Sequence, residues 1–190
     1  MTDLVIGIDG LGRCGWGVGS PDYIVYHDEE WGRPVRGDDA LFERLTLEAF
    51  QSGLSWLTIL RKRPAFRAAF DGFRIERVAG YGPADVARLL DDAGIVRNRA
   101  KIEAAIANAR AALDLPAGLD ALLWSFAPDP GRRPRPRSFA DVPTQTPESV
   151  AMAKALKRHG FRFVGPTTAY ALIQATGMVD DHIVGCHVGS

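Results

Sequence analysis

Blocks of apolar residues at helical spacing, opened by acidic residues or proline and closed by glycine, run through most of this chain and leave little of it for a sheet. After Asp38-Asp39, the residues Leu41, Phe42, Leu45, Ala49 and Phe50 share one face, and Gly53 is placed to end the run. Pro83 stands where a first helical turn tolerates proline and Gly94 where a C-terminal cap favours glycine, so Ala84 to Ala93 is predicted helical. An Ala-rich helix from Arg99 to Leu113 follows, and the two are expected to form a helical hairpin. Pro147 opens a helix that runs to His159 and stops at Gly160; Pro166 opens another that ends near Gly177. Between them and the hairpin, Ala127 to Thr146 is proline-rich and carries Arg132, Arg133, Arg135 and Arg137, which predicts an exposed connector. The one candidate strand is Leu4 to Ile8. The expected fold class is all-α, without internal repeats.

Composition narrows the function classes. With 46% hydrophobic and 24% charged residues over 190 positions, the chain lies in the globular range, away from disorder and fibrous repeats. No apolar stretch approaches the roughly 18 residues of a membrane span. The N-terminus lacks a basic region followed by a long apolar one, so a cytoplasmic location with no membrane partner is expected. Two cysteines are too few for a disulfide framework, which leaves both thiols for another use. Net charge is zero, yet residues 1–96 hold 11 basic and 15 acidic side chains while residues 97–190 hold 12 and 8. A polyanion would meet the C-terminal half, although solvated faces alone can produce such an imbalance.

Four soft ligands stand out: Cys14 and His27 near one end, His182 and Cys186 near the other. The spacing of the second pair lets both face one ion. Zinc favours four thiolate or imidazole ligands, and with no open position such a site would be structural. Two buried free thiols and two unrelated histidines fit the spacing as well. The segment Phe161 to Ala169 joins two helices through a turn containing Gly165, leaving the first-turn N–H groups of the second helix, near Thr167 and Thr168, free to meet a phosphate. Lys154, Lys157, Arg158 and Arg162 lie just upstream. An ordinary packing corner would look the same.

The segments Arg13-Cys14-Gly15-Trp16, Tyr23 to Gly32, Gly53-Leu54-Ser55-Trp56, Asp92 to Ile95, Leu123 to Phe126 and Asp181 to Cys186, taken in order, resemble the DNA-3-methyladenine glycosylase I family of the helix-hairpin-helix DNA glycosylase superfamily. The resemblance covers residues 13–187, implying one glycosylase domain, in one or two helical lobes with the base pocket between them. It leaves residues 1–12 as an extension without an inferred role and 188–190 as a tail. It favours the zinc reading of Cys14, His27, His182 and Cys186, one ion per chain tying the two ends together.

The resemblance further implies an enzyme that binds alkylated double-stranded DNA, flips out 3-methyladenine and hydrolyses its N-glycosidic bond; a monomer is expected. Trp16, Tyr23, Tyr26 and Trp56 supply aromatic surfaces for a flipped cationic purine. Glu48 shares the helical register of Leu41 and Leu45, which turns its carboxylate inward; its alternative is a surface pair with Arg44 one turn earlier. By the resemblance, Glu48 and Tyr26 read the base edge, Trp56 stacks on its face, and Gly165, Thr167, Thr168, Lys157, Arg158 and Arg162 meet the DNA backbone. Thr167 stands where bifunctional members carry a Schiff-base lysine, implying a monofunctional hydrolase. Asp180 occupies the place of the superfamily's catalytic aspartate; the alternative is a cap on the turn into His182, or an orienting contact with that histidine. A non-catalytic DNA-binding module and a broader alkylpurine glycosylase are the competing functions.

Overall fold

A computed structural model describes residues 3–129 and 134–189, and Arg132 and Arg133 lie outside that range. The molecule is mostly helical. Its elements are strands β1 (Leu4–Ile6) and β2 (Gly12–Cys14), then helices α1 (Pro21–Glu29), α2 (Asp38–Gln51), α3 (Trp56–Ala69), α4 (Ile75–Ala79), α5 (Pro83–Asp91), α6 (Arg99–Leu113), α7 (Gly118–Trp124), α8 (Pro147–Arg158) and α9 (Pro166–Ala175).

Helix α2 lies at the centre because its sequence suits burial on nearly every side. Asp38 and Asp39 place negative charge in its first turn, and Leu41, Phe42, Leu45, Leu47 and Phe50 are buried against α3, α6, α7 and α9. Gly53, at φ 81°, makes the turn that leads into α3. There the Ser55 hydroxyl accepts the Thr58 N–H and caps the new helix. Helix α6 is capped in the same way by Asn98, and the small buried side chains Ala104, Ala105, Ala109 and Ala112 let it approach its neighbours closely.

Several expectations are revised. Helix α6 packs chiefly along α4, a five-residue helix too short to leave a periodic signal, and only secondarily against α5. The candidate strand stops at Ile6 and pairs antiparallel with β2, Leu4 opposite Cys14, because Gly10 at φ 77° turns the chain back. Residues 3–12, without a role in the sequence reading, therefore lie over the segment that carries Cys14. The described part of the connector is not simply exposed: Arg135 donates to the carbonyls of His182 (3.2 Å) and Ile183 (3.1 Å), and Phe139 packs beside Cys14 and Cys186. Among the described residues, no helix is long and apolar enough to cross a membrane.

Candidate active site and metal cluster

Where α1, α2, α3 and α9 meet, aromatic side chains wall a cavity of about 230 Å³. This lies below the ~300–1,000 Å³ of sites for drug-sized ligands, so it suits something as small as a single base. Trp16, Tyr23, Tyr26 and Trp56 all line it, as does Trp31. The rings brace one another, Trp16 against Trp31 at 4.9 Å and Tyr26 against Trp56 at 5.4 Å between centroids. The Tyr23 hydroxyl accepts the Leu57 N–H at 3.1 Å, tying the start of α3, and with it Trp56, to α1. Larger clefts exist, such as one of about 880 Å³ at the start of α2, but that one has no aromatic lining.

Tyr26 and Glu48 are the most buried of these side chains, 3% and 7% exposed, and so form the floor. Burial pushes the Glu48 carboxyl up to about 8, with nearby Arg44 only partly offsetting it. The surface pair open to Glu48 in the sequence does not form. Arg44 instead donates to Glu30 at 2.9 Å, and Arg63 holds the same carboxylate through two bonds of 2.6 Å. Three further lining residues, Gln51, Ala171 and Gln174, were not anticipated. Gln51 follows Glu48 by one helical turn, a signal that was available; the two α9 residues offered none.

The cysteine and histidine ligand atoms all lie within 4.8 Å of one another. Cys14 Sγ is 3.7 Å from His182 Nδ1, and Cys186 Sγ is 3.5 Å from His27 Nε2 and 3.6 Å from His182 Nδ1. A tetrahedral ion with bonds of about 2.3 Å to sulfur and about 2.05 Å to nitrogen sets the S···N edge near ~3.6 Å, so the donors have the spacing of a metal site. The imidazoles are oriented for it as well. His27 Nδ1 hydrogen-bonds the Asp28 carboxylate at 2.7 Å and His182 Nε2 hydrogen-bonds the Trp31 carbonyl at 3.2 Å. Both partners are acceptors, so each ring proton points outward and each lone pair into the cluster. The Cys14 thiol is pushed far up by its contact with Cys186 and by burial, while Cys186 is pulled down by the same contact and by the two imidazoles. A cation between them would relieve that conflict. Described residues therefore offer a buried Cys2His2 set that could hold a metal ion.

Between α8 and α9 the left-handed residues are Gly160, at φ 87°, and Phe163, at φ 56°, whereas Gly165 is extended at φ −92°. Asn108 of α6 clamps this turn, accepting the Arg162 N–H at 2.7 Å and donating to the Arg162 carbonyl at 3.1 Å. Ala169 donates to Gly165 at 2.8 Å, so the earlier N–H groups of Thr167 and Thr168 precede the first intrahelical bond. Lys157, Arg158, Arg162, Gly165 and Thr167 are exposed, and Thr168 is half-buried. Asp180 is not in the aromatic cavity. It lies by a separate cleft with Trp124 and Met178, accepts the His182 N–H at 3.1 Å and pairs with Arg135 at 3.3 Å.

A helical scaffold with an acid-floored aromatic cavity of base size, and a turn edged by exposed cations, is suited to taking a nucleobase out of a nucleic acid. Known proteins make the class specific. The methyladenine glycosylase family model matches residues 16–189. DNA-3-methyladenine glycosylase 1 of Escherichia coli K12 is 46% identical over 177 residues, covering 92% of this chain and 95% of that protein. A crystal structure of 3-methyladenine DNA glycosylase I superposes with a TM-score of 0.89 at 45% identity, covering 94% of this chain and 100% of the other. A variant of 3-methyladenine DNA glycosylase I in complex with 3-methyladenine gives 0.86 at 34% identity, covering 94% and 97%. The chain belongs to the methyladenine glycosylase family and is an enzyme of the DNA-3-methyladenine glycosylase I type, a hydrolase of N-glycosidic bonds.

Proposed function

We propose that this enzyme binds alkylated double-stranded DNA, rotates 3-methyladenine into the aromatic cavity and hydrolyses its glycosidic bond, leaving an abasic site. The observation that carries the reading is the buried Glu48 on the floor of a base-sized aromatic cavity. A purine methylated at N3 is cationic, so it stacks favourably between Trp56 and its neighbours and pairs with the Glu48 carboxylate, with Tyr26 beside it. The base departs as a neutral molecule, so bond cleavage needs little help from a general acid. Water adds to the oxocarbenium-like sugar carbon and loses its proton to solvent. Asp180, engaged by the His182 N–H and Arg135, serves as a support of the metal loop in this reading. The deciding experiment is chromatography of the bases released from methylated duplex DNA: 3-methyladenine should appear, and binding without release would reject the reading.

The α8–α9 pair acts as the helix-hairpin-helix of the fold, with Gly165, Thr167 and Thr168 at the phosphates and Lys157, Arg158 and Arg162 around them. Such contacts are independent of sequence. Each one removed should lower affinity for all duplexes alike and shallow the salt dependence by about one unit, because condensed counterions are no longer released. An unchanged slope in a Lys157→Ala, Arg162→Ala double variant would place the DNA elsewhere.

With Thr167 where a Schiff base would need a lysine, the enzyme is monofunctional. Borohydride should trap no protein–DNA adduct, and the product strand should stay intact until alkaline treatment; a trapped adduct would overturn this. The cluster of Cys14, His27, His182 and Cys186 holds one structural zinc, since two soft thiolates and two neutral imidazoles leave no position open for substrate. Residues 13–187 form one catalytic domain, acting as a cytoplasmic monomer.

A further inference from the structure

We infer that Gln174 is a specificity-determining residue for this reaction: its side-chain carbonyl, held in place by Asp181 and Tyr170, accepts a hydrogen bond from the 6-amino group of the flipped base and so discriminates against 6-oxopurines. The inference deepens the proposed function and rests on the aromatic cavity being the base site.

Gln174 follows Ala171 by one turn on α9, and both line the cavity to which α2 contributes Glu48. Its Nε2 donates to Asp181 Oδ2 at 2.8 Å, and the Tyr170 hydroxyl donates to the same oxygen at 2.5 Å. Asp181 and Tyr170 are 3% and 2% exposed and do not line the cavity themselves. They act through Gln174, as positioning residues. A carboxylate accepts hydrogen bonds and has none to donate, so the amide must turn its NH2 toward Asp181. The remaining polar atom of the side chain, Oε1, is therefore an acceptor whose orientation is set from behind.

The cavity thus presents two acceptors, the Glu48 carboxylate and the Gln174 carbonyl. An adenine-type base answers them with the two N–H bonds of its amino group. A guanine- or hypoxanthine-type base brings a carbonyl oxygen to the same place, and acceptor facing acceptor leaves both without a donor. That mismatch is costly in a way that a merely missing contact is not.

The test uses the full chain and two free bases, 3-methyladenine and 3-methylhypoxanthine, which differ by an oxygen in place of the amino group. Binding is read by quenching of the cavity tryptophans. Wild-type protein should prefer the amino base, and Gln174→Met should reduce that preference about tenfold, the worth of one buried hydrogen bond. Asp181→Asn should reduce it in part, because an asparagine amide can donate or accept and no longer dictates which way Gln174 turns. In both variants, release of 3-methyladenine relative to 3-methylguanine from methylated DNA should fall in parallel. An unchanged preference in Gln174→Met, or equal weakening of both bases, overturns the inference; Gln174→Leu replaces the methionine variant if that one does not fold. Trp56→Ala separates the two levels of the argument. If it leaves both bases bound as in wild type, the cavity is not the base site; if it weakens both while Gln174→Met keeps the preference, only the role of Gln174 fails.

Discussion

Glu48→Gln is expected to cut excision of 3-methyladenine roughly ten- to a hundredfold while making the protein more stable. The loss follows from charge: the amide keeps the shape of the side chain but not its ionic attraction to a cationic purine. The gain follows from burial. The carboxyl is moved from 4.5 to about 8, so between those two values the folded protein keeps a proton that the unfolded chain has released. Stability then falls as pH rises through that window, and above about 8 the full cost of the buried charge is present. At about 1.4 kcal/mol per pH unit the cost is at most about 5 kcal/mol. Removing it should raise the melting temperature by several degrees at pH 8 and by much less near pH 4.5. Catalysis should show the reverse dependence. Wild-type kcat/KM should climb with pH toward about 8 as Glu48 ionises in the free enzyme, and Glu48→Gln should be low and flat over the same range. Affinity for undamaged duplex should hardly change. Equal excision by the two proteins, with Asp180→Asn assayed beside them, would move the chemistry away from Glu48.

Cys186→Ala should give the largest loss of stability of any single substitution discussed, with little effect on base release by whatever protein stays folded. The four donors join the first strand hairpin and α1 to the last described turn, so an ion held there would close nearly the whole chain into a loop. Losing one thiolate both weakens the metal and leaves a buried partner thiol uncompensated. A decrease on the order of 5 kcal/mol corresponds to roughly 10–20 °C for a chain of this length. Metal analysis of freshly purified native protein should find one zinc per chain. No zinc there, or an unshifted melting temperature in Cys186→Ala, would remove the structural role.

The helices readable in the sequence were those with strong local marks. Asp38-Asp39, Pro83, Pro147 and Pro166 each begin a helix where expected, and Arg99–Leu113 is found with both ends as predicted. The helices that escaped notice have identifiable reasons. Helix α3 carries Arg61, Lys62, Arg63 and an internal Pro64, which blur its apolar face, while α4 and α7 are five and seven residues long. Helix α1 has little amphipathic contrast because its buried Tyr26 and His27 serve the cavity and the cluster.

Residue types and capping signals thus determined, from the sequence alone, that the chain is helical and that its two cysteines stand with two histidines in pairs toward opposite ends, while the burial of Glu48 stayed open against a surface pair with Arg44. Helicity depends on neighbours within about one helical turn, which periodicity records. The tertiary structure alone decided which partners meet. It drew Arg44 to Glu30 and buried the Glu48 carboxyl on the cavity floor, brought Cys14 within 3.7 Å of His182, and set Asp181 behind Gln174. Each of these depends on distance, burial and direction between side chains far apart in the chain, and electrostatics and hydrogen bonding act through space rather than along the sequence.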